Sequence, residues 1–137
     1  MNILFFSKDV EFSLKDRKRV EKLIKSCVSL EETPIRELRV IFSDDNTLLE
    51  INRKFLKHDY FTDIITFPFH DEDHLDGELY ISLDTVRANS IKYKENFDKE
   101  LSRVIIHGIL HLCGYDDQKM EDKKIMREKE DFYLSLL

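Results

Sequence analysis

"FDKELSRVIIHGILHLCGYDD" occupies residues 97–117, and its reading decides how the rest of the chain is arranged. The spacing predicts a helix over 97–112, with Leu101, Val104, Ile105, Leu110 and Leu112 surrounding His107. It is the most apolar helix predicted in the chain, so it belongs at the centre with the other elements around it. Gly114 suits the left-handed position that ends such a helix. His107 and His111 lie four residues apart, which puts both on one helix face and lets both imidazoles reach one metal ion. A single buried histidine is ordinarily satisfied by a core hydrogen bond. Two at this spacing, left unpaired, would carry a serious desolvation cost that a bound metal removes.

A catalytic zinc site needs three protein ligands and one open position. Cys113, Asp116 and Asp117 are the candidates for the third. Cys113 follows His111 by two residues and reads better as a small buried apolar residue. Asp116 and Asp117 follow a Gly-Tyr turn that can fold the chain back toward the helix end. Their competing role is to cap the next helix, so one is expected to ligate and the other to cap or shape the turn. A zinc protease would carry a glutamate directly after the first histidine; this chain has Gly108. His70 and His74 in "HDEDH" are also four apart, but they fall in a polar loop without helical context and read as solvated.

Working outward, "NILFF" reads as a first strand and Leu14–Leu30 as an amphipathic helix with Leu14, Val20, Leu23, Ile24, Cys27 and Val28 inward. Glu32–Pro34 ends it. Glu37–Ser43 alternates as a strand. Thr47–Leu56 reads as a short helix with Leu48, Ile51 and Phe55 inward, after the capping side chains of "SDDN". Asp63–Phe67 and Glu78–Ser82 are strands joined as a hairpin by "PFHDEDHLDG". "LDTVRANSIKYK" continues as a helix, and a last charged helix over 119–137 would turn Met120, Met126, Tyr133 and Leu137 inward. Four strands and five helices predict an α/β (α+β) fold, one domain over 1–137 with one sheet and helices packed on it.

The 137 residues suit one core, and the balance of 42% apolar to 36% charged residues is that of a folded protein rather than a disordered one. No apolar run approaches the roughly 20 residues that span a bilayer. The short apolar stretch Ile3–Phe6 does not make a signal peptide, so a cytoplasmic protein is expected. Two cysteines, Cys27 and Cys113, fit a reducing compartment. The net charge of −6 argues against a general nucleic-acid binder. Locally, residues 15–25 hold six basic side chains against two acidic ones. That stripe reads as a solvated helix face, or as a face toward RNA or a ribosomal surface.

"HGILHLCGYDD" resembles the signature H-G-x-L-H-L-x-G-Y-D-H of the YbeY family of metal-dependent bacterial endoribonucleases. "INRKFLKHDYFTDIITFP", residues 51–68, and "GELYIS", residues 77–82, resemble two further blocks of that family, and Met126 and Glu130 match its final helix. The resemblance implies an α/β domain with one zinc, or another divalent transition metal, held at the end of the central helix. It implies a role in rRNA processing, notably at the 16S 3′ end, and in ribosome quality control. The small ribosomal subunit and a ribosome-associated protein would be its partners. His107 and His111 match the first two ligands, and Asp117 stands where the family has a third histidine. A carboxylate binds zinc at a similar distance, and a His₂Asp set also suits Fe(II). Leu56 replaces a family arginine thought to contact RNA; Lys57 and His58 next to it are the residues that could substitute, with Lys57 the candidate phosphate contact. Phe61 replaces a proline and Glu78 an aspartate. Two other readings are a zinc peptidase or amidohydrolase, which the absent glutamate disfavours, and a non-catalytic ribosome-assembly factor with a structural metal.

Overall fold

A computed structural model describes residues 1–137. The elements in chain order are β1 (Asn2–Ser7), α1 (Arg17–Leu30), β2 (Glu37–Ser43), α2 (Asp45–Ile51), a π-helical turn (Asn52–Leu56), β3 (Ile64–His70), β4 (Leu75–Ser82), α3 (Leu83–Lys92), α4 (Phe97–Leu112) and α5 (Met120–Leu134). The strands form one sheet in the order β1-β2-β4-β3. β1, β2 and β4 run parallel, and β3 returns antiparallel to β4. The four strands and five α-helices match the sequence reading.

Alternation along the strands decides which sheet face is buried. Leu38, Val40 and Phe42 of β2, Leu79 and Ile81 of β4 and Ile64 of β3 point one way and join the main core. The central helix α4 lies against them, its Ile105, Ile106, Ile109 and Leu110 fully buried. Asn96 caps its start by accepting the Lys99 N–H at 2.7 Å, and Gly114 at φ 102° ends it as expected. Gly108 faces the sheet. A Cβ there would stand 2.6 Å from Ile64 Cδ1 and 2.9 Å from Leu79 Cδ2, so the missing side chain is what lets α4 approach the strands this closely. A glutamate at this position would run into the sheet and away from the histidines.

Several expectations are corrected. Thr47–Leu56 is not one helix: α2 gives way to a π turn at Asn52. The added residue in that turn breaks the seven-residue spacing that would align Phe55 with buried Leu48, and Phe55 is 62% exposed. Asn52 turns inward instead and donates from Nδ2 to the Tyr60 carbonyl at 2.9 Å, holding the loop before β3. On α5, Met126 and Tyr133 are buried as expected, but Met120 is 89% exposed and Leu137 is exposed. Six residues separate Met120 from Met126, which sets the two about 120° apart around the helix. Leu137 lies beyond the helix end. β3 and β4 reach further than predicted, leaving a turn of only Asp71–His74. There Asp71 Oδ1 accepts the backbone N–H groups of Asp73 and His74, so this "HDEDH" segment is a hairpin tip. α1 begins at Arg17 rather than Leu14, which packs against the core from the segment before it; the helix buries Val20, Leu23, Ile24, Cys27 and Val28 as expected, and Lys18, Lys22 and Lys25 line an outer groove. No helix is long and apolar enough to cross a membrane.

Candidate metal centre

The last turns of α4 carry His107 and His111, and the turn after Gly114 brings Asp117 back over them. The three side chains form a cluster able to hold a metal ion. His107 Nε2 and His111 Nε2 are 3.0 Å apart. Asp117 Oδ2 lies 3.1 Å from the first and 3.3 Å from the second. Three donors bound about 2.0–2.1 Å from one tetrahedral cation sit about 3.3–3.4 Å from one another, so this triangle is nearly the size such a cation requires.

The far side of each imidazole fixes its tautomer. His111 Nδ1–H donates to the Tyr115 carbonyl at 2.9 Å. His107 Nδ1–H donates to Glu130 Oε2 at 2.7 Å. When both rings are neutral with their protons on Nδ1, the two Nε2 lone pairs and the Asp117 oxygen converge as three acceptors. Such an arrangement can accept a cation, and outer hydrogen bonds of this kind orient metal-binding histidines. Burial pulls the His107 pKa down, but the hydrogen bond to Glu130 and the charges of Glu130, Asp63 and Asp117 outweigh it, holding the pKa above the ordinary histidine value. The field that favours a proton here also favours a metal cation.

Glu130 is 5% exposed and is itself held by Arg103, whose guanidinium reaches Oε1 at 3.1 Å and Asp131 at 2.8 Å. Asp63, from the "TD" pair before β3, lies beside the cluster, and burial raises its pKa against the opposing field of His107. A second support comes from the end of α1. Glu31 accepts the Tyr115 hydroxyl at 2.6 Å, the Lys129 ammonium at 3.2 Å and the Tyr133 hydroxyl. It thereby ties the ligand-bearing turn to both flanking helices.

Of the three candidates for the third position, only Asp117 joins the histidines. Asp116 is exposed and its Oδ1 accepts the Asp117 backbone N–H at 2.9 Å, shaping the turn. Neither aspartate caps α5, which starts after Lys119 with no side-chain cap. Cys113 packs against the core, and burial pushes its thiol pKa up. The cluster opens on a cleft of about 430 Å³ lined by Asn52, Leu56, His58, Tyr60 and Thr62 among others, with no lysine or arginine in its wall. Lys57 is exposed, in a left-handed conformation that ends the π turn, and stands outside that lining. Glu78 faces away from α4, paired with Arg39 at 2.8 Å. The sequence places Glu130 on the final helix without a role, points to the strand from Asp63 to Phe67 as a cleft wall, which the lining bears out for Asp63 to Thr66, and gives no sign of Arg103 or Glu31. Their partners are distant in sequence, and only the fold brings them together.

The chain matches the family model described as "Endoribonuclease YbeY" over residues 2–137. It is 39% identical over 137 residues to the endoribonuclease YbeY of Parabacteroides distasonis, covering 100% of this chain and 96% of that protein. With the endoribonuclease YbeY of Karelsulcia muelleri it shares 45% identity over 129 residues, 94% of this chain and 92% of that one. Among solved structures, the solution structure of a Thermotoga maritima protein superposes with a TM-score of 0.66 at 31% identity, covering 97% of this chain and 87% of that chain.

Proposed function

The chain belongs to the YbeY family of endoribonucleases, and on that premise we propose that it cleaves ribosomal RNA at a single divalent metal held by His107, His111 and Asp117. The observation that carries this reading is the convergence of two tautomer-fixed Nε2 atoms and one carboxylate oxygen within 3.0–3.3 Å of one another. Zinc suits two imidazoles and a carboxylate, and Fe(II) suits the same set. When bound, such a cation lowers the pKa of water toward about 7 or polarises a phosphoryl oxygen.

The chain's own groups do the rest. Glu130 and the Tyr115 carbonyl keep the Nδ1 protons outside the cluster, leaving both Nε2 atoms free to ligate. The cleft formed by β3, the π turn and the loop after it gives a strand of RNA access to that point, and the Asn52 side chain fixes the cleft's outer wall. Lys57, next to the cleft-lining Leu56 and His58 in sequence, is the proposed phosphate contact on this side. The position after His107 offers no base, because Gly108 is packed into the sheet. Peptide hydrolysis of the zinc-protease kind therefore lacks its essential group. The biological substrate we propose is the 3′ end of 16S rRNA on the small ribosomal subunit, in the cytoplasm, with a ribosome-associated protein as partner.

The test incubates purified protein with rRNA and with casein, with and without chelator, beside His111→Ala. Expected are RNA cleavage that chelator abolishes, intact casein, and an inactive variant. RNA cleavage that survives His111→Ala, or casein hydrolysis that does not, overturns the reading.

A further inference from the structure

The metal cluster faces two clefts. Besides the one under β3 and the π turn, a second of about 510 Å³ opens on the other side of His107 and Asp117, between α3, α4 and α5. Asp63, His107 and Asp117 belong to the walls of both, so the cluster sits on a saddle between them. The two walls differ in charge. The first contains no lysine or arginine. The second contains Arg103, Lys123 and Arg127, with Tyr93 and Asn89 on the α3 side.

These cations are not equivalent. Arg103 is 12% exposed and spent on Glu130 and Asp131. Arg127 is 57% exposed and comes no closer than 4.0 Å to a Glu130 oxygen. Lys123 is exposed and makes no ion pair. Positions 123 and 127 lie one helical turn apart and share the face that carries buried Met126 and Glu130 toward the cluster. In a chain of net charge −6, two exposed cations one helical turn apart, one without an ion pair and the other only loosely paired to Glu130, thus line the approach to the candidate metal centre. Tyr93, 52% exposed at the end of α3, presents an aromatic ring to the same space.

We propose that this second cleft holds the substrate strand on the far side of the scissile phosphate, with Lys123 and Arg127 contacting backbone phosphates and Tyr93 stacking on a base. Unpaired bases splayed onto aromatic rings beside backbone-tracking cations are how single-stranded RNA is commonly bound. The strand would cross the saddle from one cleft to the other, and the charge absent at Leu56 is supplied from α5 instead. This inference rests on the endoribonuclease reading above.

The experiment is an anisotropy titration of a fluorescein-labelled single-stranded RNA dodecamer over a salt series. It compares the native chain with Lys123→Ala/Arg127→Ala, with Tyr93→Ala, and with Lys18→Ala/Lys22→Ala on the outer face of α1 as a charge-matched control. The α5 double variant should bind about tenfold more weakly and lose about 1.4 from the slope of log K against log salt, about 0.7 per phosphate contact on a single strand. Tyr93→Ala should weaken binding about fivefold or more with the slope unchanged. The control should match the native chain, and all variants should keep its zinc affinity and thermal midpoint. If the native chain cuts RNA while the α5 variant binds with native affinity and slope, or the control loses as much, the second cleft is not the binding surface. If the native chain neither binds nor cuts RNA, the endoribonuclease reading itself fails, and this inference with it.

Discussion

Replacing Glu130 by glutamine keeps the shape of a buried side chain and removes one acceptor, and the hydrogen-bond inventory around it leaves no good way to absorb the loss. The carboxylate serves two donors at once, His107 Nδ1–H at 2.7 Å and Arg103 Nη1–H at 3.1 Å. A glutamine has one carbonyl oxygen. If it faces Arg103, the amide NH₂ faces His107 Nδ1, which must then become an acceptor. The ring proton moves to Nε2, into the space where the metal would bind. If the oxygen faces His107, the NH₂ meets the guanidinium donor to donor. Outer partners of metal-binding histidines are worth about 10–100-fold in metal affinity, or about 1.4–2.7 kcal/mol. Zinc affinity of Glu130→Gln, measured by competition with a chromogenic chelator, should fall within that range. Asp131→Asn removes the charge of an exposed partner of the same arginine and should leave zinc affinity native. A Glu130→Gln protein that binds zinc as tightly as the native chain would refute the tautomer argument.

Glu31 carries a pH-dependent share of stability. Burial alone would raise its pKa, but the Tyr115 and Tyr133 hydroxyls and the Lys129 ammonium outweigh burial and hold it below the usual glutamate range. A depressed carboxylate stabilises fully above its unfolded pKa of about 4.3 and loses that contribution as pH falls through the lower folded value. Urea midpoints across pH 6 to 3 should therefore decline less steeply in Glu31→Gln than in the native chain; parallel acid limbs would contradict the assignment. At Gly108, alanine gains about 1 kcal/mol of helix propensity against about 1–3 kcal/mol of overpacking on Ile64 and Leu79, a net cost of about 0–2 kcal/mol by urea denaturation. Gly108→Glu adds a buried charge to the same clash and should cost more than about 3 kcal/mol without creating peptidase activity. A stable Gly108→Glu protein would show that the helix does not need this close approach.

What the sequence made legible follows one rule: the signal had to be local. The apolar surface of α4, its histidines at i and i+4 and its terminating Gly114 are set by residues within one or two turns, and the fold keeps all of them. The turn that returns Asp117 to the histidines spans only a few residues more. The misreadings occur where local periodicity fails. Phe55 is exposed because a π turn alters the winding between it and Leu48, and a sequence pattern that assumes α geometry cannot register the change. Leu137 keeps the helical phase of Tyr133 but has no helix under it. Glu130, Arg103 and Glu31 escaped for a different reason. Each is a charged residue on a helix, indistinguishable from a solvated one until the packing of α1, α4 and α5 shows which charges are enclosed. Gly108 was visible as an absence of glutamate, and its positive role became apparent only against the sheet.

The bonds around the cluster also make the last helix a hinged clasp. α5 supplies Glu130 to one histidine, while Lys129 and Tyr133 on the same helix grip Glu31, which in turn anchors Tyr115 behind the other histidine. Lifting α5 away would strip one imidazole of its orienting carboxylate and release the segment that carries Asp117. A metal held by His107, His111 and Asp117 would pin the turn before α5 to the end of α4, and part of its binding free energy would depend on that helix being seated. Metal retention and local unfolding of the C-terminus would therefore be coupled, so a change that loosens the tail reaches the reaction centre without touching a ligand.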